Sequence, residues 1–265
     1  ISWHIKDRTK EFYIWLLILA AATIGVFMSL DLFFLYFFYE MSVIPMYLLL
    51  GMWGSHTKKY LEMTDPEGLK LRDSVGFIFN FGSNSKEYAA MKLTLMLLIG
   101  SAFILVGIFA LYQAGGAKDF SIEYLMQHPL SRESQMWVFP ALWLGFGSLA
   151  GVFPFHTWSP DGHASAPTPV SMLHAGVLMK LGAFGVMRVG MVLCPEATVA
   201  WAPIVGAVAV MNVVYGALGA MAQTDLKYVI AYSSVSHMGV VMLGAATLST
   251  DGWNGAVFQM FAHGL

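Results

Sequence analysis

Four ionisable side chains stand inside long apolar stretches of this 265-residue chain, where they could carry protons. Lys180 lies within HAGVLMKLGAFGVM, a run that contains no acidic residue. An ammonium at membrane depth costs roughly 2.5–3.5 kcal/mol on insertion scales, so such a lysine is kept where a cavity, a partner or a proton path uses it. Glu40, His237 and His263 stand in comparable stretches. The four residues together predict a proton relay.

Each of these residues also has a purely structural interpretation. Glu40 could be a carboxyl that packs between helices, although Pro45, about one turn later, could open a pathway beside it. His237 and His263 could be core histidines that are hydrogen-bonded to nearby serines or to a backbone carbonyl. Lys180 could extend to the membrane surface only from near a helix end, and apolar residues continue on both sides of it. The position of Lys180 therefore favours a function.

His174 precedes Lys180 by six residues on the same predicted helix. At 3.6 residues per turn the two side chains are turned by about 120° and lie ~9 Å apart along the axis. We therefore expect them to contact different neighbours. The sequence leaves open whether His174 joins the relay or packs in the core.

The composition is typical of a polytopic membrane protein. Hydrophobic residues make up 57% of the chain and charged residues 11%, whereas soluble domains carry about 25% charged residues. Residues 13–53 are almost continuously apolar, and as one helix they would extend about twice the ~30 Å thickness of the hydrocarbon core. We therefore predict two helices that turn near Ser29–Asp31. Further predicted spans are 88–113, 136–154, 168–191, 198–221 and 227–247, with a last helix that begins near 253.

The predicted fold class is all-α: a polytopic transmembrane helix bundle with a broken helix, forming a single transmembrane domain over residues 1–265. Because Ile1 is not an initiator and Leu265 falls inside the last helix, we expect the chain to be an internal fragment of a longer polypeptide. Segment 54–87 contains several charges, Pro66 and glycines, which predict a loop. Lysine and arginine concentrate on the side of this loop, so the positive-inside rule places it in the cytoplasm or the organellar equivalent.

Prolines interrupt the helical pattern between two apolar runs, in VFPFHTWSPDGHASAPTPVSMLHAG. The four are Pro154, Pro160, Pro167 and Pro169. Proline removes a backbone donor, so the helix must break here. The break could form an ion site of the kind that transporters build near membrane depth, or an ordinary turn outside the membrane.

Other kinds of site are disfavoured by the sequence. His156, Asp161 and His163 match no common metal-ligand spacing, so we expect capping or loop hydrogen bonds there and no metal site. The single cysteine, Cys194, excludes a disulfide within the chain and a multi-cysteine cluster. A net charge of -2 gives no basic field for nucleic acid, and no glycine-rich phosphate loop is present.

Three motifs carry a family resemblance: FYEMSVIPMYLLLGMW at 38–53, FPFHTWSPDGHASAPTPVSMLHAGVLMKLGAFGVMR at 153–188 and AQTDLKYVIAYSSVSHMG at 222–239. They resemble the antiporter-like membrane subunit M (subunit 4) of respiratory complex I, the NADH:quinone oxidoreductase. A wider similarity includes Mrp-type cation/proton antiporter subunits. The middle motif is highly specific, and the resemblance covers essentially the whole chain, from the fourth into the eleventh of the family's fourteen helices.

The resemblance implies roles for particular residues. The family's essential fifth-helix glutamate matches Glu40 and its central eighth-helix lysine matches Lys180. Its histidines in the tenth and eleventh helices match His237 and His263, and its lysine near the start of the sixth helix matches Lys92. The implied mechanism is that Glu40 modulates the charge of the relay, Lys180 is the central proton carrier, and the two histidines pass the proton onward.

The same resemblance implies the surroundings of the chain. No cofactor is expected in it, because flavin, iron–sulfur clusters and quinone belong to partner subunits. The expected partners are other membrane-arm subunits of a complex I and the lipid bilayer, in a bacterial inner membrane or an organellar equivalent. Two alternatives stay open: an Mrp-type antiporter subunit that moves sodium against protons, and a structural membrane-arm subunit that does not pump.

Two features depart from the family pattern. The family usually has a lysine at its broken seventh helix, where it forms an ion pair with the fifth-helix glutamate, and this chain has Leu149 there. We expect Glu40 either to lack an adjacent cation or to have recruited Lys92, His174 or Lys180 as a substitute. The loop 54–87 is also longer than the usual connection.

Overall fold

The computed structural model describes residues 2–55, 86–116 and 118–265 of the chain, and this part is helical, with no β-strand. The predicted loop 54–87 lies largely outside the described residues. Its end differs from the prediction, because the next helix already begins at Lys86. The predicted all-α class is confirmed for the part of the chain that the structure describes.

The described residues form a short 3₁₀ turn at Ser2–His4 and ten longer helical segments. These are α1 (Thr9–Met28), α2 (Leu32–Trp53), α3 (Lys86–Ala114), α4 (Ile122–Gln127), α5 (Arg132–Ala150), α6 (Trp158–Ser165), α7 (Thr168–Met191), α8 (Pro195–Met221), α9 (Leu226–Ala246) and α10 (Thr250–Gly264). Six of them are long and apolar enough to cross a membrane: α1, α2, α3, α7, α8 and α9. The chain is a multi-pass membrane protein.

The helix starts follow from local side-chain chemistry. Asp31 accepts hydrogen bonds from the backbone N–H groups of Phe33 and Phe34, at 2.8 and 3.1 Å, and so caps the first turn of α2. Asp225 caps α9 in the same way through the N–H of Lys227, at 2.9 Å. The predicted turn near Ser29–Asp31 is confirmed, since α1 ends just before it and α2 begins just after it.

The helices pack as a bundle in which neighbours in sequence are mostly neighbours in space. α1 packs on α2, α2 on α3, and α3 on α5. α8 lies along α9, and α9 also contacts α10. The short helix α6 lies between α3 and α9, and α7 packs against α5. Many large apolar side chains face outward, among them Leu17, Phe33, Val106 and Leu218. Such an apolar exterior is what a lipid environment requires.

The predicted span 136–154 is wrong in its bounds, because α5 runs from Arg132 to Ala150 and the helix then breaks. Gly151 has a φ of 73°, a left-handed conformation that favours glycine. The side-chain amide of Asn212, on α8, accepts from Phe153 N–H at 2.7 Å and donates to the Gly151 carbonyl at 3.2 Å. The Asn212 side chain thus satisfies two backbone groups at the break, the Phe153 N–H and the Gly151 carbonyl.

α7 is an irregular helix. Two π-helical segments, His174–Leu178 and Val186–Met191, flank the α-helical segment Met179–Gly185 that carries Lys180. Gly182 faces α5 so closely that a Cβ atom there would collide with the backbone of Phe146 and Ala150. The backbones of α5 and α7 therefore touch beside Lys180, and a glycine makes this approach possible.

Candidate functional site

Lys180 is almost completely buried, with 4% of its surface exposed. Its Nζ donates a short hydrogen bond to the carbonyl oxygen of Ala175, which belongs to the first π-helical segment of α7. A second short contact joins Nζ to Nδ1 of His263 on α10. Among the described residues no ion pair includes Lys180. Its buried nitrogen is therefore held by neutral partners.

His263 continues the contact network away from Lys180. Its Nε2 lies 3.0 Å from Oγ of Ser234 on α9. The Ser234 hydroxyl donates to the carbonyl of Ile230 at 3.1 Å, so it accepts from Nε2–H. A neutral His263 with its proton on Nε2 leaves Nδ1 free to accept from Lys180. The hydrogen bonds thus form one directed series from Nζ to the imidazole and the serine.

His237 is the next titratable group beyond His263. The two ring centroids are 5.1 Å apart. The Gln259 amide donates to His237 Nδ1 at 2.9 Å, which places the proton of neutral His237 on Nε2. The structure therefore brings Lys180, His263 and His237 into one cluster at the junction of α7, α10 and α9.

Glu40 does not contact this cluster. It is half-buried on α2, its Oε1 has no hydrogen-bond partner, and no ion pair among the described residues includes it. It borders a mostly apolar hollow of about 490 Å³. The other lining residues are Phe37, Met41, Val43, Ile44, Tyr47, Thr94 and Leu98.

Lys92 forms an ion pair with Asp161 at 2.7 Å, and the Tyr228 hydroxyl donates to the other carboxylate oxygen of Asp161 at 3.2 Å. This cluster joins α3, α6 and α9. Lys92 therefore does not substitute for a cation beside Glu40. Leu149, which stands where the family resemblance predicts a lysine, is fully buried in the apolar core.

His174 also lies apart from Glu40. Its ring is stacked between Trp158, with centroids 5.0 Å apart, and His163, with centroids 4.1 Å apart. His174 and Lys180 contact different neighbours, as their spacing on the helix predicts. No ion pair joins His174 to Glu40 among the described residues.

Several polar residues of the site were not singled out from the sequence. Ser234 contacts His263, Gln259 contacts His237, and Asn212 bonds to the backbone at the helix break. Asn212 is a lone amide within the apolar run of α8, which is the same signal that singled out Lys180. Gln259 precedes His263 by four residues, so the two share one helix face.

Curated proteins are similar in sequence to this chain over its whole length. The chain is 39% identical over 265 residues to NAD(P)H-quinone oxidoreductase chain 4 3 of Picosynechococcus sp., covering all of this chain and 43% of that protein. It is 37% identical over 268 residues to chain 4 2 of Thermosynechococcus vestitus, covering all of this chain and 44% of that protein. The chain therefore spans less than half the length of the curated relatives it matches.

Two solved structures have the same fold. Respiratory complex I from Thermus thermophilus with bound NADH contains a chain that matches with a TM-score of 0.81 and 27% identity, covering 96% of this chain and 48% of that chain. An archaeal membrane-bound sulfane sulfur reductase matches with a TM-score of 0.80 at 22% identity, covering 98% and 48%, which shows the fold alone.

The family model described as NADH:quinone oxidoreductase/Mrp antiporter, TM, matches residues 74–265, well over half of the chain. This range includes Lys180, His237 and His263, and the model describes membrane-spanning segments, as the apolar helices of the structure require. The chain belongs to the NADH:quinone oxidoreductase/Mrp antiporter transmembrane family.

Proposed function

We propose that this chain is part of a proton-translocating, antiporter-like subunit of a complex I-type NAD(P)H-quinone oxidoreductase, in which quinone reduction elsewhere drives protons through the membrane arm. The observation that carries this proposal is the contact between buried Lys180 and His263. A buried ammonium without a carboxylate partner in the described residues is costly, and a proton path accounts for its presence. The family membership supports the same function.

In the proposed transfer, the Lys180 ammonium gives one proton to Nδ1 of His263. The N–H bond of the ammonium breaks, an N–H bond forms on the imidazole, and the lysine becomes a neutral amine. The imidazolium then releases its Nε2 proton toward Ser234 and, through water, to His237. Each passage leaves His263 neutral with its proton on Nδ1. That proton must return to Nε2, by rotation of the ring or by exchange through water, before Nδ1 can accept again, and Lys180 then takes up the next proton.

Glu40 has a different part in this proposal. It makes no contact with the Lys180 cluster, so its charge acts on the relay through space. The Lys92–Asp161 ion pair lies between α3 and α6 and orders the polar side of the broken helix. Glu40 would therefore tune the energy of the charged lysine without accepting its proton.

The rest of the machinery belongs to other subunits in this proposal. Flavin, iron–sulfur clusters and quinone would reside in partner chains, and this chain would contribute proton transfer without redox chemistry. The partners would be further membrane-arm subunits, assembled in a bacterial inner membrane or its organellar equivalent.

Replacing Lys180 tests the function. In the assembled complex, Lys180→Ala should abolish proton translocation in vesicles, because the central carrier is lost, while the membrane arm stays assembled. Lys180→Arg should not restore translocation, because a guanidinium effectively never deprotonates in proteins. Proton uptake and quinone-reductase activity are measured on the same preparation.

Lys118→Ala is the matched control, because Lys118 is an exposed lysine outside the relay. Full pumping by the arginine variant would refute the carrier role of Lys180. Unchanged pumping by Lys180→Ala would favour the alternative that the chain belongs to a structural subunit that does not pump. Sodium movement that requires Lys180 would favour the Mrp-type antiporter.

A further inference from the structure

A buried amide joins the helix break to α9. Asn212 lies within the apolar run of α8 and is 0% exposed. Its side-chain oxygen accepts from the Phe153 N–H at 2.7 Å, and its nitrogen donates to the Gly151 carbonyl at 3.2 Å. The same nitrogen donates to the carbonyl of Val235 on α9, at 3.1 Å. One side chain on α8 therefore bonds backbone groups of the break and of α9.

The partners of Asn212 determine how its amide is turned. The Phe153 N–H needs an acceptor and the two carbonyls need donors, so the oxygen faces the first and the nitrogen faces the others. Both N–H groups of the amide are used, each on a different part of the fold. A hydroxyl has one donor and an apolar side chain has none, so neither could make this set of bonds.

The two ends of this link lie beside the two ends of the proposed proton transfer. At the break, a Cβ atom on Gly151 would lie 2.8 Å from Cε of Met179, the residue that precedes Lys180. On α9, Val235 directly follows Ser234, the hydroxyl that accepts from the relay imidazole. The amide thus connects the surroundings of the proton donor with those of the last acceptor.

α8 and α9 are in close contact at Asn212. A Cβ atom on Gly239 of α9 would lie 2.9 Å from Cβ of Asn212 and 2.8 Å from the backbone nitrogen of Val213. Elements packed this tightly transmit a displacement rather than absorb it. Loss of the Asn212 bonds would therefore let α9 shift relative to the break.

We propose that Asn212 is a positioning residue for the proton transfer: it holds α9 in register with the helix break and so keeps Ser234 within hydrogen-bond distance of His263. Its hydrogen bonds go to backbone groups, so it acts through Ser234 and does not itself carry the transferred proton. This inference rests on the proposed function of Lys180 and His263.

The first test is infrared spectroscopy of the intact complex in which histidine carries ring ¹⁵N. The ring band of His263 is the one that is missing in His263→Leu. Asn212→Ala should shift this band in the same direction as Ser234→Ala, because both changes weaken the bond that Nε2–H donates. An unshifted band in Asn212→Ala would overturn the proposal.

Ser236→Ala is the matched control for this measurement. The Ser236 hydroxyl also joins α9 to α8, since it donates to the Val213 carbonyl at 3.0 Å, but this bond does not reach the break. Ser236→Ala should therefore leave the His263 band and proton uptake unchanged.

Proton uptake by combined variants is an independent test. Asn212→Ala should lower uptake about fivefold, as expected for Ser234→Ala. The double variant should fall no further than Ser234→Ala alone, because the position of a missing hydroxyl no longer matters. Combined with Glu40→Gln, which lies elsewhere, the effects should multiply to about fiftyfold. A fall of about 25-fold in the Asn212→Ala, Ser234→Ala double variant, the product of independent effects, would refute the positioning role.

Gly239→Ala covers the case in which Asn212→Ala does not assemble. The added methyl group would push α9 away from α8 at Asn212 and would remove no hydrogen-bonding group. It should shift the His263 band and add nothing to Ser234→Ala, and an unshifted band would again overturn the proposal. Gly255→Ala on α10 is its control, because nothing lies within 4 Å of the added Cβ atom there.

The outcomes separate this inference from the function on which it rests. If Lys180→Ala abolishes pumping but Asn212→Ala leaves the His263 band unshifted, the positioning role is refuted and the proposed function stands. If Lys180→Ala leaves pumping intact, the proposed function fails whatever the His263 band shows.

Discussion

Lys180 and Glu40 give the same signal in the sequence, an ionisable group within an apolar helix, but the structure surrounds them differently. Lys180 is buried and contacts a carbonyl and an imidazole. Glu40 is half-buried, borders an apolar hollow and has one oxygen without a partner. The hydrogen bonds of Lys180 lead to another helix, α10, whereas the hydrogen bond of Glu40 joins it to Tyr36 on its own helix.

Under the proposed function, this difference would separate proton transfer at Lys180 from electrostatic tuning by Glu40. A transfer group needs a partner within hydrogen-bond distance, and its loss should stop the flow. A tuning group needs no such contact, and its loss should change the rate by a smaller factor. The predictions below test whether the two sites differ in this way.

After the loss of Lys180 itself, the largest effect should follow from His263→Leu. This change removes the imidazole that accepts from Lys180, and positioned proton-transfer groups contribute about 10²–10⁴-fold to rates. Proton uptake in vesicles should therefore fall by about 10²-fold or more. The control is His128→Leu, which removes an exposed histidine. A His263→Leu complex with more than half of the normal uptake would contradict the relay.

A smaller effect is expected for Glu40→Gln. The amide keeps the shape of the side chain and removes its charge, and no ion pair in the described residues is broken. Proton uptake should fall about tenfold, which corresponds to about 1.4 kcal/mol, while the complex keeps its thermal stability. Destabilisation on the scale of a broken buried ion pair, about 3–5 kcal/mol, would show that Glu40 has a cationic partner after all.

A still smaller difference should distinguish two serines. Ser234→Ala removes the acceptor of His263 Nε2–H, and a single hydrogen bond contributes about 1 kcal/mol, or about fivefold in rate. Ser42→Ala, near Glu40, removes only a bond from the hydroxyl to the Tyr39 carbonyl in its own helix. Proton uptake should fall about fivefold in the first variant and stay unchanged in the second. Equal rates for the two variants would remove Ser234 from the relay.

The last prediction concerns the membrane topology, which sets the side of the membrane that each site faces. It predicts no change in rate. Cysteines at Ser55 and Gln127, both exposed, should react with impermeant thiol reagents from opposite sides of the membrane. Background labelling should be low, because burial raises the pKa of the Cys194 thiol to about 12 and the thiolate is the reactive form. Labelling of both cysteines from one side would refute the predicted arrangement of spans.

The sequence predicted the helices well where hydrophobicity and caps determine them. The turn between α1 and α2 and the spans of α7 and α9 follow from apolar runs bounded by polar residues. The break after Ala150 was placed within a few residues by its prolines. Its exact end depends on Asn212, whose contact with Phe153 spans 59 residues of sequence and leaves no local signal.

The site was predicted as a set of residues, and its connections were not. Chemical type and apolar context singled out Lys180, His237 and His263. The pairing of Lys180 with His263 depends on how α10 meets a π-helical segment of α7, which a regular helix does not describe. Their roles in proton transfer stay a prediction.

The backbone contact at Gly182 determines where water can pass between α5 and α7. A chain of water molecules needs a gap at least one water molecule wide between helices. At Gly182 the backbones of α5 and α7 touch, with no side chain between them. Lys180, two residues earlier on α7, directs its nitrogen toward α10. Under the proposed function, Gly182 would therefore help to seal the α5 side of α7 against water.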